Sequence, residues 1–517
     1  MTGDGLSTIR TDIPARMDRL PWARWHWLIV VGLGTVWILD GLEVTIIGAI
    51  GSRLTDPEAG LGLSPSDIGL AAAIYVAGAC VGSLVFGHLT DRFGRKRLFI
   101  ATLGLYLLAT VATAFSFDPV FFFVCRFLTG AGIGGEYAAI NSAIDELIPA
   151  RRRGMVDLAI NGSYWLGAAF GAVISVLLLN ESFLAADVGW RVAFGLGAVL
   201  GVVILLVRRN VPESPRWMSI HGKDEEAERL VGEIETRIEE ETGSRLPATD
   251  PDEDFLEIRQ RRSIGFGEIA RVAVTRYPKR FVLGLSLFTG QAFLYNAVFF
   301  TYSLVLSQLL DVPDDVVPWA LVPIALGNFA GPLTLGRLFD SIGRKVMISI
   351  SYIGSGVLLV VTALLFRAEV LDPVSLTACW VVVFFLASCG ASAAYLTVSE
   401  IFPMETRAMA IAFFYALGTG LGGIVGPLLF GRLVEDSIGA VANGYLIGAG
   451  LMIGAGLVEV VLGVEAAGRS LEDIAAPLSS TEGASSDGGG DGDAAAHRPG
   501  ADGAADGAAG GAPGDER

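Results

Sequence analysis

Within the stretch WILDGLEVTIIG, residues 37–48, two carboxylates stand three positions apart, Asp40 and Glu43, among residues that otherwise partition into lipid. A charged side chain at mid-bilayer costs at least about 2.5–3.5 kcal/mol on insertion scales, so acids in such a place usually face a cavity and mark a pathway. At i and i+3 the two share one helix face, and both can point into a common cavity. Arg126, in another apolar stretch, is the obvious counter-ion. A carboxylate beside arginine keeps its charge, whereas burial without a partner favours the neutral acid. Breaking and remaking a Glu43–Arg126 contact would therefore take up and release a proton. Read as a fixed buried pair, the same two residues would only hold two helices together. Glu136, ten residues beyond Arg126, is a further acid: a second proton site, a gate residue, or a packing element among glycines.

These groups need a membrane to stand in. The chain has 517 residues, 52% hydrophobic and 18% charged, with a mean hydropathy of +0.56, outside what a soluble globular protein shows. Apolar runs of about 18–26 residues, what a hydrocarbon core of ~30 Å requires, recur near 27–50, 68–89, 98–116, 120–143, 155–180 and 190–207. Six more follow near 281–306, 317–339, 346–366, 375–398, 408–430 and 440–464. The expected fold is an all-α polytopic membrane protein of twelve transmembrane helices in two six-helix bundles, 27–207 and 281–464. Residues 1–26 form a polar N-terminus, with no cleaved secretory signal expected because a full-length span follows. Residues 208–280, rich in charge of both signs, read as a linker with short surface helices. The Ser/Gly/Ala/Asp composition from 465 to 517 reads as a disordered acidic tail. Loops after even-numbered spans hold eleven Lys and Arg against four in the opposite loops. That places both termini and the linker in the cytoplasm, with the plasma membrane the expected location.

Several function classes drop away. A formal charge of -17 does not suit a phosphate backbone, so no nucleic-acid partner is expected. Cys80, Cys125, Cys379 and Cys389 fall inside spans without metal-like or C-x-x-C spacing, and the four histidines lie apart. No metal or cofactor is expected. No nucleophile–base constellation or phosphate loop suggests an enzyme.

The chain also repeats itself. GHLTDRFGRKR at 87–97 returns as GRLFDSIGRKV at 336–346, so that Gly87, Asp91, Gly94, Arg95 and Lys96 recur as Gly336, Asp340, Gly343, Arg344 and Lys345 at an offset of 249. ELIPARRRG and EIFPMETRA then share Glu146/Glu400, Pro149/Pro403 and Arg153/Arg407 at an offset of 254. Two patterns in one order at nearly one separation argue for two homologous bundles. Glycine permits a tight turn between helices, and Asp91 or Asp340 can satisfy helix N-terminal amides or a neighbouring cation. As positive-inside anchors alone, the arginines would leave the paired glutamates and repeated glycines without a purpose.

On these residues the chain resembles the major facilitator superfamily from about 25 to 465. The G-x-x-x-D-x-x-G-R-K element is similar to that superfamily's cytoplasmic signature. RFLTGAGIGGEYAAINSAIDELIPARRRG and PESPRW (212–217) resemble the sugar-porter and metabolite-proton symporter branches. The resemblance implies that Arg95 and Arg153 engage Glu400, and that Arg344 and Arg407 engage Glu146, as ion pairs across the halves latching the inner gate. GLEVTIIG and DGLE resemble elements that place Glu43 at the acidic position of sugar porters and aromatic-acid proton symporters, and Arg126 lies 20 residues before Glu146 as the corresponding sugar-porter arginine does. GQAFLYNAVFF resembles the sugar-porter Q-x-x-x-x-N-A-V pattern, which implies substrate contacts at Gln291 and Asn296. Asn161 and Tyr395 stand where sugar porters carry other polar or aromatic contacts, and Gly418 or Thr419 replaces the one in span 11. The implied function is a monomeric secondary transporter of a sugar, polyol or organic acid, coupled to protons. The alternatives are a facilitative uniporter and a non-transporting sensor that keeps the fold.

Overall fold

The computed structural model describes residues 8–475 apart from 56–59, 64, 179–183, 209–211, 250–254, 260–265, 313–316, 404–406 and 470. Within helices the side chains of Glu43, Asp91 and Arg95, among others, also lie outside the described part, as does the expected disordered tail beyond 475.

The first half comprises α1 (Ile13–Asp18), α2 (Arg24–Thr55), α3 (Pro65–Phe93), α4 (Arg95–Ala114), α5 (Pro119–Leu147), α6 (Arg153–Leu178) and α7 (Ala186–Arg208). The linker carries α8 (Pro215–Ile220), α9 (Asp224–Thr242) and α10 (Phe266–Arg271). The second half follows as α11 (Pro278–Leu304), α12 (Val317–Ser341), α13 (Arg344–Arg367), α14 (Pro373–Ile401), α15 (Arg407–Gly418), α16 (Ile424–Asp436), α17 (Ile438–Leu462) and α18 (Leu471–Ile474). A π-helical turn, Thr419–Gly423, joins α15 to α16 within one span; such bulges gather at functional sites. Among the described residues ten helices are long and apolar enough to cross a membrane, counting α15 with α16 as one. The other two expected spans coincide with α5 and α7, helices of 29 and 23 residues.

Local chemistry sets the helix starts. Proline opens α5 and α14, where its missing N–H costs nothing, and the preceding Asp118 and Asp372 accept backbone N–H groups of the first turn. Gly94 and Gly343, at φ +95 and +123, turn the chain into α4 and α13 in a region closed to other residues. Small residues set the packing. In the first half α2 lies on α6 and α3 on α5. A Cβ at Gly41 would collide with the Tyr164 carbonyl, at Gly82 with that of Ala131, and at Gly134 with that of Ala79. In the second half α13 packs on α17 and α12 on α14, while Gly418 and Gly422 admit α11 at Phe288 and Thr289. The halves meet where α6 lies on α12 and α3 on α15.

Two features depart from the expectation. The all-α architecture carries one antiparallel ribbon, β1 (Thr8–Thr11) with β2 (Leu256–Arg259), which ties the N-terminal segment to the linker. The chain beyond 464 also stays packed for a further turn: Glu465 accepts the backbone N–H of Arg344 at 2.8 Å, and Leu471 is buried. A bound acceptor and the buried Ala466, Leu471 and Ile474 fix a segment that composition alone assigns to the tail. The linker helix α9 buries Ala227, Val231, Ile234 and Ile238 along one face, against α1 and α2. Its Glu235 pairs with Arg16 and Arg19. Burial opposes the Glu235 charge, but the two arginines outweigh it and hold the carboxyl below its usual range.

Gly82→Val should destabilise the protein by about 3 kcal/mol or more, because the obstacle is backbone and cannot swing aside. Gly104→Ala, with nothing within 4 Å of the added carbon, should gain about 0.5–1 kcal/mol. Thermal unfolding of the two purified variants checks this, and equal midpoints would refute the close-approach account.

Candidate functional site

A cavity of about 170 Å³ lies between the two halves. From the first half its wall takes Trp37 of α2, Tyr75 of α3, Tyr137 of α5, and Asn161, Tyr164 and Trp165 of α6. The second half contributes Gln291, Tyr295 and Asn296 of α11, Ser392 and Tyr395 of α14, Tyr415 of α15, and Thr419 of the π-turn. All four expected substrate contacts, Asn161, Gln291, Asn296 and Tyr395, therefore stand in one wall.

Aromatic rings hold this wall together across the halves. Trp37 stacks on Tyr137 at 4.6 Å between centroids and 7° between planes. Tyr137 meets Tyr415 edge-on at 5.1 Å, and Trp165 meets Tyr295 at 5.2 Å. The polar groups differ in how far they are already used. Tyr295 donates to Asn328 at 2.8 Å, and Asn296 donates to the Ala292 carbonyl at 2.7 Å. The Gln291 amide and the hydroxyls of Tyr395 and Tyr415 make no hydrogen bond among the described residues, so they keep their capacity for a solute. None of the described lining residues carries a formal charge.

Of the cavity tyrosines the sequence had pointed to Tyr395 alone. Six of the chain's eleven line this cavity. A tyrosine in mid-span is itself a signal, because rings with polar tips otherwise collect at the membrane interfaces.

The acids stand behind the aromatic layer. Asp40 is 1% exposed and is not among the residues that line this cavity. The stacked Trp37 and Tyr137 take up the wall instead, and Asp40 acts electrostatically on the hydroxyls of Tyr137, Tyr395 and Tyr415. Arg126 is buried with its guanidinium 4.5 Å over the ring of Tyr75, a cation–π contact to a lining residue. Glu136 is fully buried beside Tyr137 and is likewise outside the wall. The Glu43 side chain, and with it the Glu43–Arg126 pairing, lies outside the described residues.

At the end of the bundles that bears the linker, the repeated motifs meet, with one of the expected pairs formed and two replaced. Arg344 grips Glu400 with two N–H groups at 3.2 Å each, and Asp340 with a third at 2.5 Å. The expectation paired Arg344 with Glu146. The reason is local: the start of α13 lies beside the end of α14, within one bundle. Arg153, expected on Glu400, instead reaches Asp18 at 3.3 Å, and Asp18 also accepts from Arg216 at 3.1 Å. The N-terminal helix α1 thus supplies the acid. Arg407 stands 3.7 Å from Glu146 as anticipated and also donates to the Ser399 carbonyl at 2.7 Å. Ser214 of the PESPRW stretch donates to Glu146. Arg95 and Asp91 lie outside the described side chains, and Gly87 is buried in α3.

The firmest polar link between the halves was not foreseen. Asp340 of α12 accepts the backbone N–H of Met155, in the first turn of α6, at 2.9 Å. That N–H has no partner within its own helix, and the helix N-terminus favours an anion. Gly154 and Gly336 leave room there: a Cβ at Gly154 would collide with the Arg344 guanidinium, and Gly336 faces Met155. A matching pair of caps frames the turns. Glu213 accepts from Lys96 at 3.1 Å at the start of α4, as Glu465 does from Arg344 at the start of α13.

Two bundles enclose an aromatic cavity whose described lining residues carry no formal charge, with polar links between the bundles at one end. Comparison with known proteins agrees. The family model for sugar (and other) transporters matches residues 44–477. The niacin transporter NiaP of Acinetobacter baylyi is 27% identical over 469 residues, covering 90% of this chain and 99% of that protein. Plastidic glucose transporter 4 of Arabidopsis thaliana is 27% identical over 470 residues, with 86% and 81% covered. A solved structure of the proton:xylose symporter XylE, bound to 6-bromo-6-deoxy-D-glucose, superposes with a TM-score of 0.69 at 19% identity, over 87% of this chain and 98% of that one; XylE comes from E. coli. The repeated motifs, the paired bundles and the family match lead to one statement: this chain is a membrane transporter belonging to the sugar (and other) transporter family.

Proposed function

We propose that the chain is a proton-coupled symporter of a single-ring aromatic metabolite, working by alternating access with twelve spans. The linker, the latch and both termini face the cytoplasm, so that the conformation described here is closed on the cytoplasmic side. The observation that carries the substrate class is the cavity wall: aromatic rings from both halves, a few unspent amide and hydroxyl groups, and no fixed charge among the described lining residues. A cavity of about 150 Å³ takes benzene, and the one here is about 170 Å³. Ring faces bind another ring by offset stacking, worth about 0.5–1.5 kcal/mol per pair beyond burial. An acidic solute would cross with the co-transported proton balancing its charge, and Asp40 and Glu43 are the proton carriers, with Arg126 as foil and Glu136 in reserve. NiaP's name as a niacin transporter supports a ring carrying a carboxyl group. A second reading, a pentose or hexose, is favoured by Gln291 and Asn296, whose amides suit hydroxyls, and by the names of XylE and the plastidic glucose transporter.

Uptake into proteoliposomes under an imposed pH gradient separates the two. Labelled nicotinate or 4-hydroxybenzoate should accumulate above equilibrium while xylose and glucose do not; accumulation of the sugars alone would install the second reading. Glu43→Gln and Asp40→Asn should each abolish uphill accumulation while counterflow exchange continues, and a variant that keeps accumulating substrate would lose its assignment as carrier.

The latch makes a separate prediction. Asp340→Asn keeps the shape but removes the charge that strengthens the Met155 contact, an interaction of about 1.5–3 kcal/mol. The cytoplasm-open population should then rise by roughly tenfold or more. Alkylation of a cysteine placed at Ser392, from the cytoplasmic side of inside-out vesicles, measures this, and an unchanged rate would remove Asp340 from the gate.

A further inference from the structure

One buried acid has no place in the scheme above. Glu459 lies in α17, one turn before its end, with a side chain that is 0% exposed. Neither carboxyl oxygen has a hydrogen-bond partner, and the group forms no ion pair among the described residues. The turn beyond closes directly over it, since a Cβ at Gly463 would collide with one carboxyl oxygen. The groups that face it are few. Lys345 and Tyr352 come from α13, and Glu465 from the segment after α17. The other helices on α17, namely α11 and α16, bring no charged group that acts on it.

Packing does not require an acid at this position. Glu213 and Glu465 are equivalent caps at an offset of 252, and the same offset carries Glu459 onto Val207 in α7. A valine stands there in the matching helix, one residue before its end, whereas a bare carboxylate enclosed without donor or counter-ion costs several kcal/mol. The neutral acid escapes that cost.

We propose that Glu459 is a second proton-binding site of the transporter, filled while the cytoplasmic side is closed and emptied when it opens. The inference rests on the orientation and proton coupling proposed above. The site adjoins the latch through the chain itself: Glu465, six residues on, caps the first turn of α13 through Arg344, whose guanidinium holds Glu400 and Asp340. Opening that end parts Met155 from Asp340 and brings water to the ends of α13 and α17, where the turn at Gly463 and the Glu465 cap cover Glu459. The O–H bond of the Glu459 acid then breaks, its proton passes to water as hydronium, and the electron pair stays on the carboxylate. Lys345 favours the resulting charge and Glu465 opposes it. Because the closed form holds the proton, acid on the cytoplasmic side favours closure and alkali favours opening.

The test has two arms, both on the full chain in lipid. Infrared spectroscopy of the purified protein at neutral pH, in H₂O and D₂O, should reveal the carbonyl stretch of a protonated carboxylic acid that disappears in Glu459→Gln. Identical spectra would overturn the site, and because no substrate is involved this outcome is independent of the transport reading. In the second arm, counterflow of the substrate identified by the uptake panel is followed as internal pH is varied. Wild type should slow as the inside is acidified, by up to about tenfold per pH unit, the limit for one proton. Glu459→Gln should lose that dependence while still exchanging. An unchanged pH profile would overturn the release step. Glu459→Val, which installs the residue of the matching helix, repeats both measurements should the glutamine variant fail to fold; it should lack the band and show the same flat profile.

Discussion

The Asp340 carboxylate is shared between the Arg344 guanidinium of its own bundle and the Met155 backbone N–H of the other, and through that sharing one side chain ties the two bundles together. Breaking a buried ion pair by removing a partner costs about 3–5 kcal/mol, whereas a helix N-terminal N–H exchanges a carboxylate for water at far smaller net cost. The strong bidentate grip of Arg344 on Glu400 lies within the second bundle. It therefore holds that bundle as one body. Among the described residues what joins the bundles is the weaker set: one capped helix end, Arg407 at 3.7 Å from Glu146, the Ser83 hydroxyl donating to the Ala412 carbonyl at 3.2 Å, and ring contacts around the cavity. A rocking transporter needs this division, with bonds that last inside each half and bonds that yield between them.

The same economy of charge shapes the cavity. Asp40, Arg126 and Glu136 are buried close to the solute space, yet none stands in its wall. A charge in the wall would fix one solute charge and bind it too well to release. Outside the wall, Asp40 still lies within electrostatic reach of the hydroxyls of Tyr137, Tyr395 and Tyr415. The Arg126 guanidinium over the Tyr75 ring follows the same plan from the other side.

Much of this was legible before any coordinates. Hydropathy and the repeated GRK turns gave the spans and the two halves, because the bilayer forces length and the turn forces glycine at Gly94 and Gly343. Asn161, Gln291, Asn296 and Tyr395 were legible as cavity residues through the resemblance to sugar porters, whose contact positions they occupy. The partners of the arginines were not. Motif spacing says which side chains gather at one end of a bundle, but whether Arg344 meets Glu400 or Glu146 depends on how closely α13 lies to α14. Arg153 was lost to Asp18 for a related reason: α1 looks like polar leader in the sequence, yet the buried Ile13, Pro14 and Met17 and the pairing of Arg16 with Glu235 of the linker helix dock it. The acids' distance from the wall was hidden as well, because helix periodicity gives a face and not the size of the ring in front of it.

The halves repeat in position more faithfully than in chemistry. At the offset of 254 that relates Glu146 to Glu400, Tyr137 corresponds to Ala391, Asn161 to Tyr415 and Trp165 to Thr419, and all six line the cavity. Paired helices thus bring paired positions to the centre, as a two-fold relation demands, while the residues there differ in every pair. Glu136 corresponds to Gly390 and Arg126 to Trp380, so the buried charges break the symmetry too. Caps and turns, by contrast, keep it: Glu213 with Glu465, Gly94 with Gly343. Residues that the fold needs are needed twice, once per bundle. A single solute between the bundles presents different groups to each, and a proton path needs only one lane. Departure from the repeat is therefore a physical criterion for function in this chain, and the mid-span acids and the ring wall both meet it.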